Sequence, residues 1–247
     1  KIIATLAWGD KVKVVRQEPK FVVIELMVFR DQGESIELIP DEGFIVGDPD
    51  EILMDLSDNR VLKVDFIDVQ QGNGAVLETP SGKVMLVDGG DNQMFARYLA
   101  GRFRGTTADN PKTIDCILVT HGDADHFSGL TEIFASGTNA TKRKRFFMQP
   151  RRVYHNGIVK RPSNMPEKEQ LGPIKTVGDK TFLVGLEENL LSVPLSEMNR
   201  PFKEWRAALA TYNKRSKVAF RRLEFGDNDA FDFLADEDIR VEVLGPL

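Results

Sequence analysis

Four metal-competent side chains fall within six residues of this chain: His121, Asp123, Asp125 and His126, in the run His121-Gly-Asp-Ala-Asp-His126. Imidazole and carboxylate together suit borderline or hard divalent ions, with zinc, manganese and iron as candidates. The chain has only 3 histidines, and two lie in this hexapeptide. The third, His155, follows a second apolar and aromatic stretch. A calcium loop of the EF-hand kind fails on register. Counted from Asp123 it would need Gly at Ser128 and Glu at Phe134. The plain alternative is a solvated, acid-rich turn. Against it, both carboxylates and both imidazoles directly follow a run that reads as a buried strand, Ile114-Asp-Cys-Ile-Leu-Val-Thr120. Open α/β folds usually place their chemistry at the carboxyl ends of such strands.

The upstream elements fit the same plan. Leu62-Lys-Val-Asp-Phe-Ile-Asp-Val69 alternates apolar and polar positions, as a half-buried strand does. Gln70-Gln-Gly-Asn-Gly74 is a turn. Ala75–Thr79 and Lys83–Val87 read as strands joined at Pro80-Ser-Gly82. The last of them runs into Asp88-Gly89-Gly90, where glycines let the backbone bend tightly beside a carboxylate. A helix is expected to start near Leu130, after the ligand loop. A second helix is expected from Pro201 to Tyr212, with Pro in the first turn and Phe202, Trp205 and Leu209 on one face. Cys116 reads as a small buried hydrophobe rather than a nucleophile. No phosphate-binding glycine loop and no nucleophile-elbow motif is present.

The order Val64-Asp-Phe-Ile-Asp-Val-Gln-Gln-Gly72, Thr79-Pro-Ser-Gly-Lys83, Leu86-Val-Asp-Gly-Gly90 and Val119-Thr-His-Gly-Asp-Ala-Asp-His126 resembles the metallo-β-lactamase superfamily, and within it the ComEC-like branch. The resemblance covers residues 61–135 well, and 150–160 and 239–246 loosely. That branch usually has Gly-Gln-Gly-Asp after the first strand, where this chain has Gln70-Gln-Gly-Asn73. Many superfamily members carry His at the position of Asp123. An aspartate there argues against the lactamase and thioesterase branches and brings manganese in beside zinc.

Carried over position by position, the resemblance implies two divalent metal ions, zinc or manganese. His121 and Asp123 would bind one, Asp125 and His126 the other, and His155 would complete the first. Asp88 would orient the ligand loop, and Asp88 and Asp125 are the carboxylates of the implied catalytic set. The superfamily also needs a bridging Asp, and usually a final His, from later strands. Val241-Glu-Val-Leu-Gly-Pro246 resembles the strand leading there, and the chain, which starts at Lys1 without Met, stops at Leu247. It is therefore expected to be incomplete at its C-terminus.

The expected fold class is α/β: the first half to two-thirds of a metallo-β-lactamase αββα sandwich over residues 59–247, preceded by a small all-β domain over residues 1–58. The latter, with Trp8-Gly-Asp10 and Gly43-Phe-Ile-Val46, resembles SH3-like barrels. Its alternative is a β-rich extension packed on the catalytic domain. The 247 residues, 41% hydrophobic and 29% charged, are ordinary for a soluble globular chain. No apolar run approaches the length of a membrane span. A single cysteine excludes an internal disulfide framework, which fits a reducing, cytoplasmic setting.

Charge is uneven. Residues 1–60 are acidic. From Ile133 to Pro166 there are eight basic residues and no acid: Lys142, Arg143, Lys144, Arg145, Arg151, Arg152, Lys160 and Arg161. Residues 200–222 add eight basic residues against one acid. With Phe146, Phe147 and Tyr154 interleaved, these stretches suggest contacts to a polyanion and stacking on bases. A solvated face over core aromatics is the plain reading. The expected function is a metal-dependent hydrolase, a phosphodiesterase or nuclease using a metal-bound hydroxide. Its partner would be a nucleic acid or another phosphodiester. A small anionic ester is the alternative substrate. The alternative function is a non-catalytic assembly or regulatory protein with a structural or degenerate metal site, whose N-terminal β domain binds a protein partner.

Overall fold

The computed structural model describes residues 6, 12–31, 36–52, 61–166 and 169–245. The N-terminal part is a three-stranded antiparallel sheet, β1 (Lys13–Glu18), β2 (Phe21–Asp31) and β3 (Ile36–Val46), in that order. Val22, Val23, Ile24 and Val28 of β2 are buried. A three-stranded sheet does not by itself close a barrel. The Trp8-Gly-Asp10 segment lies outside the described residues. A single helical turn, α1 (Pro49–Ile52), follows.

The rest is built on one six-stranded mixed sheet. It contains β4 (Lys63–Phe66), β5 (Gly74–Glu78), β6 (Val84–Asp88), β8 (Cys116–Val119), β10 (Arg152–His155) and β13 (Ala219–Arg222). The spatial order is β13-β10-β8-β6-β5-β4. β4, β5 and β6 are joined by antiparallel pairings, whereas β6, β8, β10 and β13 run parallel. Short β7 (Lys112–Ile114) and β9 (Met148–Pro150) pair parallel beside it. A hairpin, β11 (Ile174–Val177) with β12 (Lys180–Leu183), stands apart.

Helices α2 (Met94–Arg102), α3 (Ala124–Ser136) and α4 (Arg200–Arg215) lie on one face of the sheet. The period-two alternation of the strands places Val76, Leu86, Ile117 and Val153 in register on that face. There they meet Phe95 and Leu99 of α2, Phe127, Leu130 and Ile133 of α3, and Trp205 and Leu209 of α4. Each such side chain contributes roughly 1.5–3 kcal/mol on burial.

The opposite face carries Met85, Cys116 and Tyr154. It is covered by a run of 3-10 turns at Asn228–Glu237, with Ala230, Phe231 and Leu234 buried. Cys116 is fully buried, as expected, and burial pushes its thiol pKa up. Towards the β4 edge this face is open, with Phe66 86% exposed. A second sheet facing this one, which a full αββα sandwich requires, is not among the described residues. The strand expected at Val241–Pro246 is not formed either, although Pro246 itself is not described. Residues 241–245 are irregular, with Val241 and Val243 packed under the sheet and Val243 N–H donating to Asn228 Oδ1 at 2.8 Å. Among the described residues, no helix is long and apolar enough to cross a membrane.

Candidate metal centre

Parallel strands share one carboxyl edge, and this edge collects the expected site. Asp88 ends β6, Thr120 and His121 follow β8, and His155 ends β10. Two close backbone approaches hold the pieces together. Gly129 of α3 packs so tightly on the Asp88-Gly-Gly90 bend that a Cβ there would lie 1.9 Å from the Gly89 carbonyl. Gly72, in the turn after β4 at φ +82°, would place a Cβ 1.6 Å from the Asp125 carbonyl. Only glycine fits either position. Asp88 itself sits at φ 56°, a left-handed conformation that a non-glycine residue adopts at a cost.

Asp88 is 1% exposed and organises the loop. Its Oδ1 accepts the Thr120 N–H at 2.8 Å. Its Oδ2 accepts the Thr120 hydroxyl at 2.6 Å and His126 Nδ1–H at 2.7 Å. Because the Thr120 proton is spent on Asp88, its oxygen is free to accept His121 Nδ1–H at 3.1 Å. Both imidazoles therefore use Nδ1 inward and keep an Nε2 lone pair. Their ring centroids are 3.7 Å apart. Carboxylate-held histidines with a free second nitrogen are the usual form of metal ligands. His121 Nε2 also lies 3.9 Å from Asp123 Oδ2.

Asp123 is the N-cap of α3, and Asp125 and His126 lie in its first turn. The helix thus begins at Ala124, not near Leu130, because the end of the ligand loop doubles as the first helical turn. Asp125 there also complements the positive end of the helix dipole. Asp123 Oδ1 is 2.8 Å from the Lys160 ammonium. That hydrogen bond is the main reason the Asp123 carboxyl is held below its ordinary range, against a smaller opposing effect of burial.

His155 is placed differently. It is 4% exposed, and burial pushes its pKa down to about 4. Its Nδ1 accepts the Gly157 N–H at 3.0 Å, so the neutral ring carries its proton on Nε2. It shares with Val119, His121, Phe127, Phe202 and Trp205 the wall of a narrow cavity with room for about one water-sized group. Among the described residues, His155 Nε2 and Trp205 Nε1 are both buried without a hydrogen-bond partner. In this arrangement His155 offers a donor, whereas His121 and His126 offer lone pairs.

Among the described residues, no group of three or more His, Cys, Asp and Glu side chains converges as a metal cage. The donor chemistry of the loop nevertheless fits a divalent ion: two oriented imidazoles with free Nε2 atoms, and Asp123 and Asp125 on the same loop. Thr120, Lys160 and Trp205 are not marked as site residues by the sequence pattern. Thr120 lies directly before the motif, and its position between the strand and His121 is a usable signal. Lys160 comes from a distant segment with no local pattern, and the helical pattern around Trp205 marks it only as a core position.

The basic stretches separate in space. Lys142–Arg145, Arg151 and Arg152 lie at the amino ends of the parallel strands, opposite the site, as the β7–β9 pairing and the start of β10 require. Arg151 pairs with Asp115, and Arg152 lies over the Phe233 ring. Arg161 is buried in ion pairs with Glu187 and Glu197. Phe146 and Tyr154 are core residues. Of the eight basic residues between Ile133 and Pro166, Lys160 is the one whose ammonium meets the ligand loop.

Residues 67–145 match the family model of the metallo-beta-lactamase superfamily. No curated protein and no solved structure matches the chain.

Proposed function

We propose that this protein is a metal-dependent hydrolase of phosphodiesters. The observation that carries the reading is the Asp88-centred network, which engages Nδ1 of His126 directly and of His121 through Thr120 and leaves their Nε2 atoms free, on the loop that also carries Asp123 and Asp125. The family match over residues 67–145 supports the hydrolase class, since that superfamily is usually hydrolytic and typically binds divalent metals such as zinc. His121, Asp123, Asp125 and His126 would hold the ion or ions, zinc or manganese. A bound divalent ion would supply Lewis acidity and make a water easier to deprotonate near neutral pH.

The chain's own residues do the remaining work. Asp88 holds both His126 and Thr120, and Thr120 in turn orients His121. The apolar wall of Val119, Phe127, Phe202 and Trp205 limits water at the site. His155 Nε2–H and Trp205 Nε1–H, which meet no well-aligned acceptor among the described residues, are suited to an oxygen of the substrate or to a bound water. His155 would act as a ligand through Nε2 only as the other tautomer, with the proton moved to Nδ1 and the bond from the Gly157 N–H given up.

The test is metal content and turnover of bis(4-nitrophenyl) phosphate. The full chain should bind divalent metal, and His121→Ala and Asp125→Ala should lose both metal and turnover. Unchanged metal content in both variants would overturn the assignment. Metal bound without turnover of any phosphodiester would favour a structural site.

A further inference from the structure

One carboxylate of the loop is already occupied by a cation of the chain itself. Asp123 presents Oδ2 towards His121 and Oδ1 to the Lys160 ammonium, 2.8 Å away. Lys160 is carried on a braced segment. Its carbonyl accepts the Asn199 N–H at 2.9 Å, the next residue's N–H donates to the Gln170 carbonyl at 2.7 Å, and Val159 before it is 1% exposed. Arg161 anchors the same segment through Glu187 and Glu197. The backbone that carries Lys160 is thus held beside the ligand loop, while its side chain is 34% exposed and can turn outward.

We propose that Lys160 is the resident counter-cation of the ligand loop: a divalent ion binding Asp123 displaces its ammonium, and the displaced ammonium then receives an anionic oxygen of the substrate. The inference rests on the metal-dependent reading above. A divalent ion on Oδ2 carries twice the charge of the ammonium on Oδ1, and two cations on the two oxygens of one carboxylate repel each other at short range, which weakens the hold of the carboxylate on the ammonium. The braced backbone keeps the released ammonium beside the ion, where the phosphate of a phosphodiester would lie. An ammonium suits this task, being a compact point charge on a flexible stem that can swing between two acceptors.

The experiment titrates manganese, then zinc, into the full chain, comparing wild type, Lys160→Met, Lys160→Arg, Asp123→Asn and the Asp123→Asn/Lys160→Met double variant. Free manganese is counted by its electron spin resonance signal. Lys160→Met should bind the ion about two- to fivefold more tightly, the range expected for removing one partly exposed competing ion pair. Lys160→Arg should stay within about twofold of wild type. The double variant should bind no better than Asp123→Asn alone. The KM for bis(4-nitrophenyl) phosphate should rise severalfold in Lys160→Met and recover in Lys160→Arg. Equal or weaker ion binding in Lys160→Met would overturn the displacement, and an unchanged KM would overturn the handover to substrate. If neither wild type nor Lys160→Met bound an ion, the hydrolase reading itself would fall. Ion bound equally by both would remove only the role of Lys160.

Discussion

Asp88 carries three hydrogen bonds from a site that is almost fully buried, holding His126 directly and His121 through Thr120. Asp88→Asn preserves the shape but replaces one acceptor oxygen by an amide that cannot accept from both Thr120 and His126. Losing part of a buried, charge-assisted network should cost about 2–3 kcal/mol. Metal affinity should fall roughly 10- to 100-fold, as when the partner of a ligating histidine is removed. Thermal unfolding and metal titration check both, and a variant with wild-type affinity would show that His126 needs no holding. Gly72→Ala tests the other support of the loop, because the added Cβ meets the Asp125 carbonyl on a backbone at φ +82°. It should destabilise the protein by about 1–3 kcal/mol and displace Asp125. Calorimetry and metal titration of that variant measure the two effects. The sequence displayed these residues well: His121, Asp123, Asp125, His126 and Asp88 are motif positions brought to one edge. Lys160 was visible only as one charge among eight, because a tertiary ion pair leaves no trace in local spacing.

Elements were legible in proportion to their periodicity. α4 shows Phe202, Trp205 and Leu209 buried as the pattern required, and extends to Arg215 from an Asn199 cap that accepts the Phe202 N–H at 3.1 Å. β13 has no counterpart among the elements expected from the sequence. Two of its four residues are Arg221 and Arg222, which read as surface charge. Here they lie in a sheet edge because Asp227, Asp229, Glu188 and Glu224 neutralise them. The 3-10 run beneath the sheet is fastened by Glu237 to the turn between β5 and β6. Burial would raise the Glu237 pKa, but hydrogen bonds from the Ser81 N–H and hydroxyl, the Thr79 hydroxyl and Lys83 outweigh it and bring it down to about 2. A carboxyl with a lowered folded pKa stabilises the fold above its unfolded value, and that stability is lost as pH falls from about 4.5 to about 2. Glu237→Gln should therefore cost about 1–2 kcal/mol at neutral pH, allowing for solvent screening. The difference between variant and wild type should vanish near pH 2. Urea unfolding at several pH values measures it, and a pH-independent difference would mean packing, not charge, fastens the run.

At the scale of the whole molecule, sequence order misleads about charge. Lys142, Arg143 and Lys144 follow α3 closely in the chain, yet the ligand loop starts that helix and the basic turn comes after its other end. The helix has 13 residues, so the two are separated by about 20 Å. A small phosphodiester at the site cannot reach the turn, whereas a duplex, rising about 3.4 Å per base pair, spans that distance in roughly six pairs. If the substrate is a nucleic acid, the basic turn can act only as a remote grip on a long one. Replacing Lys142, Arg143 and Lys144 by Gln leaves Arg145, whose guanidinium donates to the Asn139 carbonyl at 2.6 Å, to hold the turn. Turnover of bis(4-nitrophenyl) phosphate and binding of a dinucleotide should then stay within about twofold of wild type. Binding of a duplex of about 20 base pairs should weaken, and the slope of log affinity against log salt should shrink by up to about 0.9 for each phosphate that is no longer neutralised. Fluorescence anisotropy at several salt concentrations reads both lengths. Equal weakening for the dinucleotide and the duplex would mean that the turn supports the fold instead of gripping a polymer. No weakening for either would leave Lys160, at the other end of the helix, as the charge that meets the substrate.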